Sequence, residues 1–103
     1  MDPLTIGAII VAFKVITLVA VLFLLTYKLI VDWFQENETL VQSDIDNIAV
    51  TLKELYQTGN YRIVQGVFNT RTNEVVAGRK IHSRRIDQEL DEKHRDHQLV
   101  LYQ

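Results

Sequence analysis

The longest apolar stretch of the chain extends from Leu4 to Val31 and is interrupted only by Lys14 and Lys28. As an α-helix rising about 1.5 Å per residue, it exceeds the ~20 residues that cross a hydrocarbon core of about 30 Å. A cleaved signal peptide fits poorly, because the stretch is too long and no base precedes it. The pattern therefore predicts one transmembrane helix within residues 1–34, long enough to span the membrane with tilt.

Lys14 is the residue of this stretch that invites a functional interpretation. An ammonium group at the centre of a membrane helix costs about 2.5 to 3.5 kcal/mol on insertion scales. Lys14 can snorkel to one headgroup layer while Lys28 reaches the other, pair with an acid of a neighbouring helix, or line an ion or proton path. We favour snorkelling, and the pairing alternative makes Lys14 a candidate partner-binding residue.

Aromatic residues gather at the C-terminal end of the apolar stretch. Tyr27, Trp33 and Phe34 stand near Lys28, as in the aromatic belt at a membrane surface. We expect these four residues to lie at the membrane interface. Because Lys28 is on this side and no base precedes Leu4, the positive-inside rule favours a cytoplasmic C-terminal domain. The chain is expected to be an integral, single-pass membrane protein.

The remainder of the chain has the periodicity of a small folded domain. Residues 35–42 read as an acidic linker and residues 43–103 as the domain. Apolar residues recur at helical spacing after Ser43, which predicts a helix that ends at Gly59. The members of this stripe are Ile45, Ile48, Ala49, Leu52, Leu55 and Tyr56.

Two β-branched segments, YRIVQGVF and EVVAGRKI, follow the predicted helix. The loop between them contains Asn73, a residue type that tolerates the left-handed conformation of short hairpin loops. Next, SRRIDQELDEKHRDH reads as a charged helix capped by Ser83, and residues 99–102 have strand character. The predicted fold is a single-pass transmembrane α-helix followed by a small α+β domain containing a helix, a β-hairpin, a charged helix and a short C-terminal strand.

Composition narrows the chemistry available to this domain. The chain has 103 residues and no cysteine, which excludes disulfides, thiolate zinc sites and cysteine nucleophiles. The net charge is only −2, but residues 36–60 are acidic, residues 61–85 are basic and residues 86–103 are acidic again. This segregation favours internal pairing or a charged docking surface over a nucleic-acid groove.

One cluster has the spacing of metal ligands. Asp91, His94 and His97 recur every three residues and would share one side of a helix, with ligand types that bind transition metals. Helical sites of this kind need a second carboxylate and histidine motif on another helix, and the chain has only one. We therefore favour a solvated helix face and expect no metal and no cofactor.

The segment RKIHSRR is the densest basic run of the chain. It is suited to an acidic partner or to anionic headgroups, and the alternative is a solvated strand end paired with acidic helices on either side. Its candidate partner-binding residues are Arg79, Lys80, Arg84 and Arg85. The sequence has no nucleophile elbow, no Walker-type glycine loop and no evident serine and histidine pair, so we expect no enzyme.

These observations favour a non-catalytic accessory or assembly subunit of a larger membrane protein complex, acting through its transmembrane helix and charged tail. The expected partners are other membrane subunits and the lipid bilayer, with no nucleic acid and no small-molecule substrate. Two alternatives stay open. One is a homo-oligomeric pore of the holin or viroporin kind, and the other is a membrane-tethered regulatory module that binds a soluble partner.

Overall fold

The chain folds around one five-stranded sheet. The computed structural model describes residues 2–102. Its helices and strands are, in chain order, α1 (Pro3–Phe13), β1 (Val19–Leu25), α2 (Tyr27–Glu36), α3 (Glu38–Gln42), β2 (Asn47–Gln57), β3 (Asn60–Asn69), β4 (Glu74–Ile86), α4 (Gln88–His94) and β5 (Leu99–Tyr102). The spatial order of the strands is β1-β4-β3-β2-β5. β1 runs parallel to β4, and all other neighbouring pairs are antiparallel.

The helices cover the two faces of the sheet unequally. On one face, called here the α1 face, Ile9, Phe13 and Ile16 pack against the buried side chains Val50, Leu52, Val64 and Phe68 of β2 and β3. On the opposite face, the α2 face, residues of α2, α3 and α4 pack on a second cluster. Its buried members are Leu25, Ile30, Phe34, Ala49, Ile63, Val67, Ile81 and Leu90. Because α1 is the only helix on its face among residues 2–102, part of that face stays uncovered.

The prediction of a transmembrane helix is wrong. The stretch from Leu4 to Val31 is divided among α1, a connecting segment, β1 and the start of α2. The first helix has 11 residues, whereas a span needs ~20. Within residues 2–102, no helix combines the length and the apolar character that crossing a membrane requires. The same finding contradicts the predicted integral, single-pass location and the fold class built on it.

Local signals divide the apolar stretch into these elements. The Asp2 side chain caps the start of α1, and Lys14 is the residue at its C-terminal cap. The β-branched and apolar run VAVLFLL then favours a strand. Thr26 begins α2 by accepting a hydrogen bond of 3.1 Å from the Leu29 N–H. High hydropathy favours the removal of side chains from water, but it does not distinguish lipid from the layers on either side of a sheet.

The helix predicted after Ser43 is also wrong, because residues 47–57 form β2. In this strand, Val50 and Leu52 belong to the cluster on the α1 face, and Ala49 belongs to the one on the α2 face. A strand covered on both faces places apolar residues at consecutive positions. Such a run contains the three- and four-residue spacings of a helix, so its periodicity alone does not separate the two structures.

The hairpin prediction is confirmed. β3 and β4 pair antiparallel across the predicted loop, and Asn73 has a φ of 58°. The terminal strand is present as β5 and pairs with β2. The charged helix is shorter than predicted, because β4 extends to Ile86 and α4 begins after Asp87. Ser83 is therefore a strand residue and not a helix cap.

Asp87 links two helices to the sheet, which leads to a first testable prediction. Its carboxylate accepts hydrogen bonds from the Leu90 N–H at 2.9 Å and from the Tyr27 N–H at 3.1 and 3.2 Å. Replacing Asp87 with alanine removes the cap of α4 and leaves the Tyr27 N–H without this acceptor. We expect the free energy of unfolding in urea to fall by about 1 to 2 kcal/mol. The control, Asp2→Ala, removes an exposed cap of α1 alone and should cost less; an equal loss would contradict the linking role.

Candidate interaction surface

The structure divides the basic run of β4 between the two faces of the sheet. Alternate residues of a strand point to opposite faces. Ile81 belongs to the cluster on the α2 face, so Lys80 and His82 point to the α1 face and Arg79 and Ser83 to the α2 face. The four predicted partner-binding residues of this run therefore do not form one patch.

Arg79 is held inside the α2 layer. Its guanidinium carbon lies 5.6 Å from the centre of the Trp33 ring, and its Nε donates a hydrogen bond of 2.8 Å to Gln65 Oε1. Gln65 is buried and donates in turn to the Ile30 carbonyl at 2.7 Å. Burial lowers the pKa of Arg79, and the carboxylate of Glu36 opposes that shift. Through these contacts Arg79 joins α2 to the sheet, so its guanidinium group is already engaged within the protein.

Lys80 and His82 stand on the part of the α1 face that α1 does not cover. Arg62 of β3 pairs in register with His82 on one side, and Val21 of β1 pairs with it on the other. A concavity of about 280 Å³ at this end of the sheet is lined in part by Val21, Phe23, His82 and Arg84. We call this surface the open face; its members are Val19, Val21, Phe23, Arg62, Lys80, His82 and Arg84.

Apolar side chains on the open face are unusually exposed. Val21 and Phe23 retain 77% and 66% of their accessible surface. They lie on β1, an edge strand that carries no charged residue and no proline along VAVLFLL. Natural edge strands are usually protected by such residues, so an unprotected apolar edge is a surface suited to contact with another chain.

The bases of the open face have no acidic partner among residues 2–102. The ion pairs in this part of the chain join Lys28 to Asp32, Arg71 to Asp44 and Asp46, and Arg95 to Asp91. Arg62 Nε is buried and has no hydrogen-bond partner among the same residues. Buried donors are nearly always satisfied in native proteins. The open face therefore combines apolar surface with uncompensated positive charge.

The remaining predicted partner-binding and interface residues are dispersed. Lys14 is exposed at the end of α1, and Arg85 is exposed near the end of β4. Lys28 forms an exposed ion pair of 2.7 Å with Asp32. The three aromatic residues belong to the α2 layer: Trp33 lies under Arg79, and the Tyr27 and Phe34 rings lie 6.0 and 5.0 Å from that of Tyr102.

The three residues with metal-ligand spacing, Asp91, His94 and His97, do not converge on one point. Asp91 accepts a hydrogen bond of 2.6 Å from the Tyr56 hydroxyl and one of 2.5 Å from Arg95. These hydrogen bonds lower the pKa of Asp91. The His94 ring is directed away, towards Thr51. In the part of the chain that the structure describes, no three histidine, cysteine or acidic residues are placed to hold a metal ion.

His94 is the end of a buried hydrogen-bond chain. Its Nδ1 lies 3.0 Å from the His97 carbonyl oxygen, which only accepts, so Nδ1 carries the proton. Nε2 therefore accepts from the Thr51 hydroxyl at 2.7 Å, and Thr51 accepts from the Tyr102 hydroxyl at 2.8 Å. Burial lowers the pKa of His94 and raises that of Tyr102 to about 12. Thr51 and His94 have no exposed surface, so the chain ties α4 and β5 to β2 rather than facing a reactant.

A second concave surface, the α2 groove, lies on the opposite face of the sheet. Its volume is about 700 Å³. Helices α2 and α3 form one side, and β2 and β5 form the other. The lining residues are Tyr27, Val31, Phe34, Gln35, Glu38, Val41, Gln42, Ala49, Leu101 and Tyr102.

Sequence reasoning finds part of the open face and misses the rest. The density of bases reveals Lys80 and Arg84, but Arg62 is distant in the chain and joins them only through the register of β3 and β4. Val21 and Phe23 are assigned to lipid because they lie within the apolar stretch. The only sequence signal that separates Arg79 from Lys80 is the period-two alternation of a strand. It places Arg79 on the same face as Ile81 and Lys80 on the opposite face.

No protein-family model matches the chain, and the comparisons with curated proteins and with solved structures found no match.

Proposed function

We propose that this chain is a non-catalytic accessory or assembly subunit that binds an acidic, partly apolar segment of a partner protein on the open face. The observation that supports this proposal is the position of Val21 and Phe23 beside Arg62, Lys80 and Arg84, with no acidic partner for the bases among residues 2–102. The transmembrane helix is no longer part of the proposed function.

The two components of the open face contribute differently to binding. Burying the side chains of Val21 and Phe23 supplies apolar area, at roughly 25 cal/mol per Å² removed from water. The bases select an acidic partner and accelerate the encounter, and they reject a basic one through like-charge repulsion. Arg62 Nε also gains an acceptor if a partner carboxylate enters the face. An extended segment fits this surface best, because it can lie along β1 and present alternate side chains to the face.

Charge reversal on the open face gives a second prediction. The probe is a fluorescein-labelled peptide in which glutamate alternates with valine and phenylalanine, and binding is followed by fluorescence anisotropy. We expect the double variant K80E/R84E to weaken binding by about tenfold, because each exposed charge contributes up to about 1 kcal/mol. Added salt should weaken binding to the unchanged protein, since these charges are in contact with solvent.

A matched double variant and a matched peptide serve as controls. K28E/K93E changes the net charge by the same amount but reverses exposed lysines of α2 and α4, so it should keep the affinity for the acidic peptide. A peptide with lysine in place of glutamate should not bind. Equal losses in both double variants, or equal affinity for both peptides, would contradict the proposal.

The partner itself can be identified by replacing Phe23 with the photo-reactive amino acid benzoylphenylalanine. This residue keeps an aromatic ring at a position that is 66% exposed. We expect illumination to cross-link a partner at a segment rich in acidic and apolar residues, and the cross-link should be lost in K80E/R84E. A cross-linked segment that is basic, or one retained at full yield after charge reversal, would overturn the proposed mode of binding.

A further inference from the structure

The α2 groove has the dimensions of a small-molecule site. Its volume of about 700 Å³ lies within the ~300 to 1,000 Å³ of typical ligand pockets. It opens on the α2 face, whereas the open face is on the other side of the sheet. An inference about this groove therefore does not depend on the function proposed for the open face.

The floor of the groove is apolar and aromatic. Val31, Val41 and Ala49 contribute aliphatic surface. The Tyr102 ring packs 5.0 Å from Phe34 and 6.0 Å from Tyr27, measured between ring centres. The Tyr102 hydroxyl is fixed by Thr51 at 2.8 Å, so the aromatic wall is held in place by the sheet. Such a wall suits a flat, apolar ligand body.

The polar groups of the groove favour a positive ligand group. Among the described residues that line it, Glu38 is the only charged one, and none is a lysine, an arginine or a histidine. The Gln42 Nε2 donates a hydrogen bond of 3.0 Å to Glu38 Oε1, which holds the carboxylate at the groove while its other oxygen makes no hydrogen bond within residues 2–102. Gln35 supplies a further amide oxygen at the exposed rim.

From this arrangement we infer that the α2 groove binds a small organic cation with a flat apolar body, of the arylalkylamine class. The apolar body lies against Tyr102 and Val41, and the ammonium group pairs with the Glu38 carboxylate. The face of a tyrosine attracts cations as well. The Tyr27 ring already has the Lys93 ammonium 5.5 Å from its centre, so it is Tyr102 that favours the same charge as the carboxylate. A ligand carboxylate in the same position would instead meet the like charge of Glu38.

The inference is tested with 2-naphthylmethylamine as the probe, using isothermal titration calorimetry on the full chain. We expect saturable binding with one site, and binding at least tenfold weaker for 2-naphthoate, which has the same body and the opposite charge. Glu38→Gln should weaken the amine by about three- to fivefold, the upper range for an exposed ion pair, and should leave a neutral analogue, 2-naphthylmethanol, unchanged. Val41→Trp fills the groove and should abolish binding of all three compounds.

Two controls separate the groove from general effects. Glu74→Gln removes an exposed carboxylate from β4, outside the groove, and should leave binding of the amine unchanged. Circular dichroism checks that Val41→Trp keeps its fold. If Val41→Trp is unfolded, Glu38→Gln still tests the inference, because Glu38 is exposed and its replacement does not disturb the core. Equal affinities for amine and carboxylate, or an unchanged affinity in Glu38→Gln, would overturn the inference.

A lysine side chain of a partner protein offers the same ammonium group without a flat body. The compound Nα-acetyl-lysine amide imitates such a side chain and therefore distinguishes it from a small-molecule ligand. We expect it to bind at least tenfold more weakly than the naphthyl amine, because it cannot cover the aromatic wall. Comparable affinity would contradict a small-molecule ligand and would indicate that the groove receives a side chain.

Discussion

Replacing Gly78 with valine is expected to lower the free energy of unfolding by about 2 to 3 kcal/mol, the upper range for overpacked cores. A Cβ atom at Gly78 would lie 2.5 Å from Ile16 Cδ1 and 3.1 Å from the Gln65 carbonyl oxygen. Gly66, its partner in register, is similarly close, because a Cβ atom there would lie 3.0 Å from Phe13 Cζ. The two glycines thus let α1 and the segment after it approach the sheet.

This expectation tests whether the N-terminal apolar stretch packs on the sheet at all. If α1 and the segment after it were elsewhere, Ile16 would not be near Gly78, and the valine would favour the strand through its β propensity. The measurement is urea denaturation followed by circular dichroism. A stability equal to or above that of the unchanged protein would contradict the observed packing of α1.

Gly7→Ala is the matched control for this prediction. Gly7 lies within α1, and a Cβ atom there would meet nothing within 4 Å apart from its chain neighbours and the backbone of its own helix. Alanine there should stabilise the protein by roughly 0.5 to 1 kcal/mol, because glycine in a helix interior costs conformational entropy. Opposite signs for the two substitutions would locate the effect in the contact between α1 and the sheet rather than in glycine replacement itself.

How much of this fold can be predicted from sequence depends on whether the signal is local. The hairpin of β3 and β4 is predicted because Asn73 and its polar loop separate two β-branched segments within a short distance. The cap of α1 is similarly local, since Asp2 accepts the Thr5 N–H at 2.7 Å. These features need no knowledge of the rest of the chain.

The errors arise where burial is supplied by distant parts of the chain. Part of the apolar stretch is buried because α1, the end of β1 and α2 pack on the sheet, and part of it, including Val21 and Phe23, stays exposed. Hydropathy alone distinguishes neither environment from lipid. β2 resembles a helix because both of its faces are covered. The open face also depends on distant parts of the chain, since Arg62, His82 and Val21 become neighbours only through strand register. Sequence spacing within one segment contains no information about that register.

Acidification below pH 7 is expected to destabilise the protein through His94. Burial lowers the pKa of this histidine in the folded state, whereas its unfolded pKa is about 6.5. The unfolded chain therefore binds more protons between these two values, and the free energy of unfolding falls as pH decreases through this window. The slope is at most about 1.4 kcal/mol per pH unit for one proton, so the loss between pH 7.5 and 5 is at most about 2 kcal/mol.

The physical reason lies in the hydrogen-bond chain. The Nδ1 proton is committed to the His97 carbonyl, and Nε2 is committed to accepting from Thr51. A second proton on Nε2 would face the Thr51 hydroxyl, which would have to turn and accept from the ring while it also accepts from Tyr102. The ammonium group of Lys53, which donates to the His94 carbonyl at 2.8 Å, further disfavours a positive ring.

Urea denaturation at half-unit pH intervals from 5 to 7.5 measures the loss of unfolding free energy caused by His94. In this range the carboxylates do not contribute to the loss. The pKa values of Asp44 and Asp91 are lowered by hydrogen bonds from their ordinary value of 3.8, so their stabilising contribution is lost only at more acidic pH. His94→Leu should cost about 1 to 3 kcal/mol at pH 7.5, because Thr51 loses its acceptor in the core, and it should flatten the pH dependence.

His97→Gln is the control, because it removes an exposed imidazole while the backbone carbonyl that accepts from His94 stays in place. Its pH dependence should match that of the unchanged protein. A slope that persists in His94→Leu and disappears in His97→Gln would contradict the assignment of the acid sensitivity to the buried His94. If neither variant changes the slope, the buried chain is not the source of the acid sensitivity, and the link between β2, α4 and β5 contributes to packing alone.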